Sequence, residues 1–121
     1  MPNQVMLVDD DFTTTQLLKI LLEMDGYSVR VVPNGNKVML EARANRPDVV
    51  IMDVHLGDAN GIEVLRNIRA DGELRQLPVI MSSGMDLENQ CLDAGATAFV
   101  LKPFPPDQLT SVIQKVLTPN P

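Results

Sequence analysis

Four short apolar runs each end in residues able to do chemistry. Asp9-Asp10-Asp11 follows Val5-Met6-Leu7-Val8, and Asp53 follows Val49-Val50-Ile51-Met52. Ser82-Ser83 follows Pro78-Val79-Ile80-Met81, and Lys102-Pro103 follows Ala98-Phe99-Val100-Leu101. Carboxylates gathered a few ångströms apart repel by about 4 kcal/mol per pair at an effective dielectric of ~20. A fold that gathers them therefore tends to supply a cation. Oxygen-only ligands with room for water suit Mg²⁺ or Mn²⁺. On this reading Asp10 is a direct metal ligand and Asp9 a ligand through water. The backbone carbonyl of His55 adds another oxygen. Lys102 brings a point charge suited to a phosphoryl oxygen, and a hydroxyl at Ser83 donates to a second. Asp53 then stands between metal and donors, placed as a nucleophile that would form an acyl phosphate.

These groups meet only if the chain folds so that the run ends converge. Between the runs lie stretches with helical spacing. Leu17, Leu21 and Met24, with Leu18 and Leu22, give one stripe, and Ile62, Leu65 and Ile68 another. A shorter set is Leu87, Cys91 and Ala94; a weaker one is Val38, Met39 and Ala42 within the segment 36–45. Leu109, Val112, Ile113, Val116 and Leu117 match a helical face in full. Gly26 and Gly95 mark helix ends, Asn34-Gly35 a turn, and Pro47 a block between helix and strand. Five strand–helix units in series predict a mostly parallel sheet with right-handed crossovers. In such a sheet every strand C-terminus opens on one edge, where ligands bind.

Composition removes other classes. With 121 residues, 45% of them hydrophobic, the chain is long enough for one core and too apolar for disorder. A net charge of −6, no Trp, one Tyr and three Phe argue against a nucleic-acid surface. No apolar run approaches a membrane span, and the start of the chain lacks the basic and apolar regions of a secretory signal. A single Cys excludes an internal disulfide, and one His with one Cys cannot build the usual zinc site, so the cytoplasm is the expected location.

The ordered motifs VMLVDDD, DVVIMD, HLGDANG, PVIMSSG and FVLKPF resemble a response regulator receiver domain of two-component signalling, from Val5 to about Leu117. The resemblance implies a flavodoxin-like, three-layer, doubly wound α/β fold: a five-stranded parallel sheet in order 2-1-3-4-5 with five helices. It implies one receiver domain over 1–121, its core at about 4–117 and a tail at 118–121. By position, the acidic pair falls on Asp9 and Asp10, the phosphoacceptor on Asp53 and the lysine on Lys102. The phosphate-sensing hydroxyl falls on Ser83, although either serine also suits the backbone at a strand end. The rotating aromatic falls on Phe99, for which plain core packing is the competing role.

The sequence departs from the family pattern at Gly57, where a proline is usual, so a freer loop is expected there. Asn60 replaces a frequent Asp, Phe99 lacks a tyrosine hydroxyl, and His55 and Met85 flank the expected phosphoryl site. The implied partners are a histidine kinase or phosphotransfer protein as donor. A downstream effector or a second copy would read the face made by the fourth helix, fifth strand and fifth helix. The expected role is signalling, with at most self-phosphorylation and self-dephosphorylation as enzymatic activity. One rival comes from Asp9-Asp10-Asp11-Phe12-Thr13, which also fits the D-x-D-x-T pattern of haloacid-dehalogenase-type phosphatases, with Asp9 as nucleophile. Another is a degenerate receiver that takes no phosphoryl group.

Overall fold

Runs rich in Val, Ile and Met form β1 (Gln4–Val8), β2 (Ser28–Val32), β3 (Val49–Asp53), β4 (Val79–Ser83) and β5 (Ala98–Leu101). The computed structural model describes residues 3–118, so 119–121 of the expected tail lie outside the described residues. All pairings are parallel, in the order β2-β1-β3-β4-β5. This is the doubly wound order expected from the sequence, and it places β1 and β3 side by side at the centre. Strands covered on both faces need no polar alternation, which is why β3 and β4 read as continuous apolar runs.

Five helices cover the sheet: α1 (Phe12–Met24), α2 (Val38–Asn45), α3 (Gly61–Ala70), α4 (Glu88–Asp93) and α5 (Pro106–Leu117). A 3-10 turn at Gly35–Lys37 leads into α2. Two apolar clusters result, one on each side of the sheet. Met6, Val8, Val50, Met52 and Met81 pack under α2, α3 and α4 through Val38, Leu65, Ile68 and Cys91. Val5, Leu7, Val49, Ile51, Ile80 and Val100 pack under α1 and α5 through Leu22, Leu109 and Ile113.

Helix α1 differs from the stripe expected of it. Leu22 is buried, but Leu17 and Met24 are 56% and 78% exposed. The inward face carries Thr15, Leu18 and Leu22 instead. Apolar residues stand nearly all round this helix, so periodicity alone cannot choose the face that packs. The punctuation behaves as expected: Gly26 and Gly95 take φ of +95° and +107°, a region costly for side-chain-bearing residues.

Candidate functional site

The strand period of two decides which side chains meet. Asp53, Ser82 and Lys102 continue the residues facing α1 and α5, and Asp53 lies directly beside Ser82 across the β3–β4 ladder. Asp9 continues the same side from Val5 and Leu7. Ser83 belongs to the opposite side with Met81 and Phe99.

At the C-terminal edge, carboxylate oxygens of Asp9, Asp10 and Asp53 lie within 4.8 Å of one another. The Lys102 ammonium donates to Asp9 Oδ2 at 2.9 Å and stands 3.7 Å from Asp53 Oδ1. Asp9 is held from its other oxygen by the amide of Asp11 at 3.0 Å. Burial pushes the Asp53 carboxyl above the ordinary carboxylate range; Lys102 opposes this and Asp9 reinforces it. A group strained toward neutrality in this way favours an added cation or an esterifying partner.

The donors are all oxygen, one of them, Asp10, is exposed, and one lysine cannot balance three carboxylates. This set fits a hard divalent ion that retains waters. His55 is exposed, beyond the end of β3. The Lys102–Pro103 peptide is cis.

Ser83 is fully buried, and its hydroxyl oxygen accepts from the Met85 amide at 3.0 Å, which leaves its own proton free to donate. Ser82, not Ser83, lines the cavity of about 10 Å³ beside Asp9, Asp53 and Lys102, together with Thr15 and Phe104. Residue types name both serines but cannot say which one lines this cavity, because that depends on strand register. Phe99 is half-buried against the α2–α3–α4 cluster. A larger hollow of about 650 Å³ lies at the opposite end of the strands, along Gln4, Ser28 and Asn45. Its lining gathers no carboxylates, whereas the smaller cleft gathers Asp9, Asp53 and Lys102.

Comparison with known proteins gives this edge a context. A model of the response regulator receiver domain matches residues 5–114. The chain belongs to the response regulator receiver domain family.

The receiver is 32% identical over 120 residues to the polar-differentiation response regulator DivK of Brucella anthropi, covering 97% of this chain and 98% of that protein. It is also 32% identical to the DNA-binding response regulator MtrA of Mycolicibacterium paratuberculosis, but spans only 53% of that protein's length. The solved receiver domain of sensor histidine kinase PA1611 from Pseudomonas aeruginosa superposes with a TM-score of 0.88 at 28% identity, covering 97% of this chain and 98% of that one. That receiver holds a magnesium ion coordinated in its active-site cleft.

The phosphatase alternative is not favoured. Its motif would need Asp11 in the chemistry. Asp11 instead caps α1, accepting from the amides of Thr13 at 3.1 Å and Thr14 at 3.4 Å and from the Thr14 hydroxyl at 2.8 Å. These bonds, led by the Thr14 hydroxyl, hold its carboxyl below the usual range.

Proposed function

We propose that this receiver takes a phosphoryl group from a phosphohistidine onto Asp53. One observation carries the reading: three carboxylates and one ammonium share a cleft in which Asp53 is flanked by both charges. An Asp53 carboxylate oxygen attacks phosphorus, the phosphorus–nitrogen bond breaks, and the imidazole leaves with its electron pair and takes a proton. The new bond is an acyl phosphate. Asp9, Asp10, Asp53 and the His55 carbonyl would hold Mg²⁺, with Mn²⁺ as a chemically equivalent substitute. When bound, that ion supplies charge neutralisation at the phosphoryl oxygens.

The chain's own residues do the rest. Lys102 follows the added charge, because its ammonium already reaches both Asp9 and Asp53. The Ser83 hydroxyl, with its proton free, turns toward a phosphoryl oxygen. Movement at Ser83 opens room on the side where Phe99 packs, and Phe99 swings inward. The face of α4, β5 and α5 then changes shape. Leu92 and Leu101 expose apolar surface there, suited to an effector protein or a second copy.

The donor is a histidine kinase or phosphotransfer protein, and the lone buried Cys91 suits a reducing cytoplasm. The role is that of a signalling module, enzymatic only toward its own acyl phosphate. No helix among the described residues is long and apolar enough to cross a membrane, and the net charge of −6 repels nucleic acid.

Incubation with acetyl phosphate and Mg²⁺, followed by intact-mass measurement, tests the reading. The chain gains one phosphoryl group, and Asp53→Asn gains none. Uptake undiminished in Asp53→Asn, or Asp9→Asn abolishing a multiple-turnover phosphatase that Asp53→Asn retains, contradicts it.

A further inference from the structure

The segment joining β3 to α3 is a narrow hairpin. His55 bridges Asn60, the Leu56 amide donates to the Ala59 carbonyl at 3.2 Å, and the Gly61 amide donates to Val54 at 2.7 Å. Its tip is Gly57-Asp58. A glycine tip gives the hairpin no φ restriction of its own, so something else must hold it in place. At the tip, a Cβ on Gly57 would stand 2.8 Å from Asp10 Oδ2. The hairpin therefore forms one wall of the cleft, directly against a carboxylate of the acidic cluster.

The hold comes from the neighbouring loop. Asn34 precedes the 3-10 turn in extended backbone but provides no side-chain cap. The cap is supplied from far along the chain. Asp58 Oδ1 accepts from the Gly35 amide at 2.9 Å, and Asp58 Oδ2 accepts from the Asn36 amide at 3.1 Å. A second contact is independent of these bonds. Gly35 is buried, and a Cβ there would meet Ala59 Cβ at 2.8 Å and Leu56 Cδ1 at 2.9 Å. The two loops are thus pinned at a carboxylate and at a glycine, 22–23 residues apart in sequence.

We propose that Asp58 is a positioning residue for the divalent-ion site. By capping the Gly35–Lys37 turn from outside, it fixes the hairpin that carries the His55 carbonyl and backs Asp10. The inference rests on the reading of Asp9, Asp10 and Asp53 as the ion site. Groups that orient metal ligands without touching the metal commonly set its affinity, and here the orientation is imposed through backbone.

The test is Mg²⁺ titration of the full chain followed by amide NMR, with melting temperature measured on the same samples. Asp58→Ala weakens Mg²⁺ binding about tenfold. Asp58→Asn, which keeps one acceptor oxygen of the two, falls between. Amides of Gly35 and Asn36 lose hydrogen-exchange protection in Asp58→Ala. Asp71→Ala is the structural control. Its carboxylate also accepts two local amides, from Glu73 and Leu74, but sits at the other end of the sheet, so it lowers stability without moving Mg²⁺ affinity. Should Asp58→Ala fail to fold, Gly35→Ala replaces it, displacing the hairpin from the opposite side and weakening Mg²⁺ likewise. A folded Asp58→Ala (or Gly35→Ala) with wild-type Mg²⁺ affinity overturns the proposal while wild-type binding upholds the ion site. Wild-type protein that binds no Mg²⁺ overturns both.

Discussion

At Asp53, burial and ionisation oppose each other. Its carboxyl lies above the ordinary range, chiefly through burial, so the folded state holds its proton more tightly than the unfolded chain does. A carboxyl raised on folding contributes stability that is full below the unfolded pKa and lost as pH rises through the folded one. At neutral pH the ionised group therefore costs stability. In chelator at pH 7, Asp53→Asn should therefore raise Tm. The gain should shrink toward zero as pH falls below the carboxylate range, where wild type is neutral too. Thermal melts of both proteins across pH check this; a constant gain at every pH would contradict the burial argument. The pair Ser82 and Ser83 marks a limit of residue-level reading. Both follow the same strand, yet one shares a cavity with Asp53 and the other faces Phe99. Only register separates them.

Elements set the distances between these residues. Helix α3 starts against the strand that carries Asp53: a Cβ on Gly61 would stand 2.3 Å from the Asp53 carbonyl oxygen. Backbone on both sides cannot yield cheaply, so Gly61→Ala should destabilise by about 2–3 kcal/mol, read by urea denaturation. It should also slow phosphorylation, since the α3 start and the end of β3 must separate. Helix α1 offers a paired test of orientation. Leu22→Ala, in the core, should cost about 2–5 kcal/mol, while the exposed Leu17→Ala should stay within about 0.5 kcal/mol. Equal losses would show the helix turned from its assigned face. The strands were legible because burial on both faces leaves an unmistakable apolar run. The α1 face was not, because Phe12, Leu17, Ile20 and Met24 are exposed beside buried Leu22. The Asp58 clamp was invisible for another reason: its partners are backbone amides, which carry no signature in side-chain type.

At the scale of the whole molecule, the two apolar clusters lie on opposite faces of the sheet. Asp9, Asp53, Ser82 and Lys102 lie on the α1–α5 side, and Ser83 and Phe99 on the α4 side. On the proposed reading, a charge added at Asp53 would reach the α4 compartment through β4, where Ser82, paired with Asp53, adjoins Ser83. Such a switch needs only a few kcal/mol of differential affinity between two states. Ion binding should act on the global equilibrium as well. At a concentration 100-fold above Kd, Mg²⁺ should stabilise the fold by about 2.7 kcal/mol, and Asp10→Asn should lose most of that increment. Calcium-free denaturant titrations with and without Mg²⁺ measure it. The fold class and the order of the sheet were legible from five strand–helix units and their motifs. The division of site residues between compartments required the register.

Of the three crowded carboxylates, Asp53 alone is the proposed phosphoacceptor. After phosphorylation of the full chain, borohydride converts an aspartyl phosphate to homoserine, and peptide sequencing locates it. Homoserine should appear at position 53 alone, dependent on Mg²⁺ and Lys102. Homoserine at position 9 or 10, with Asp53 intact, would contradict it.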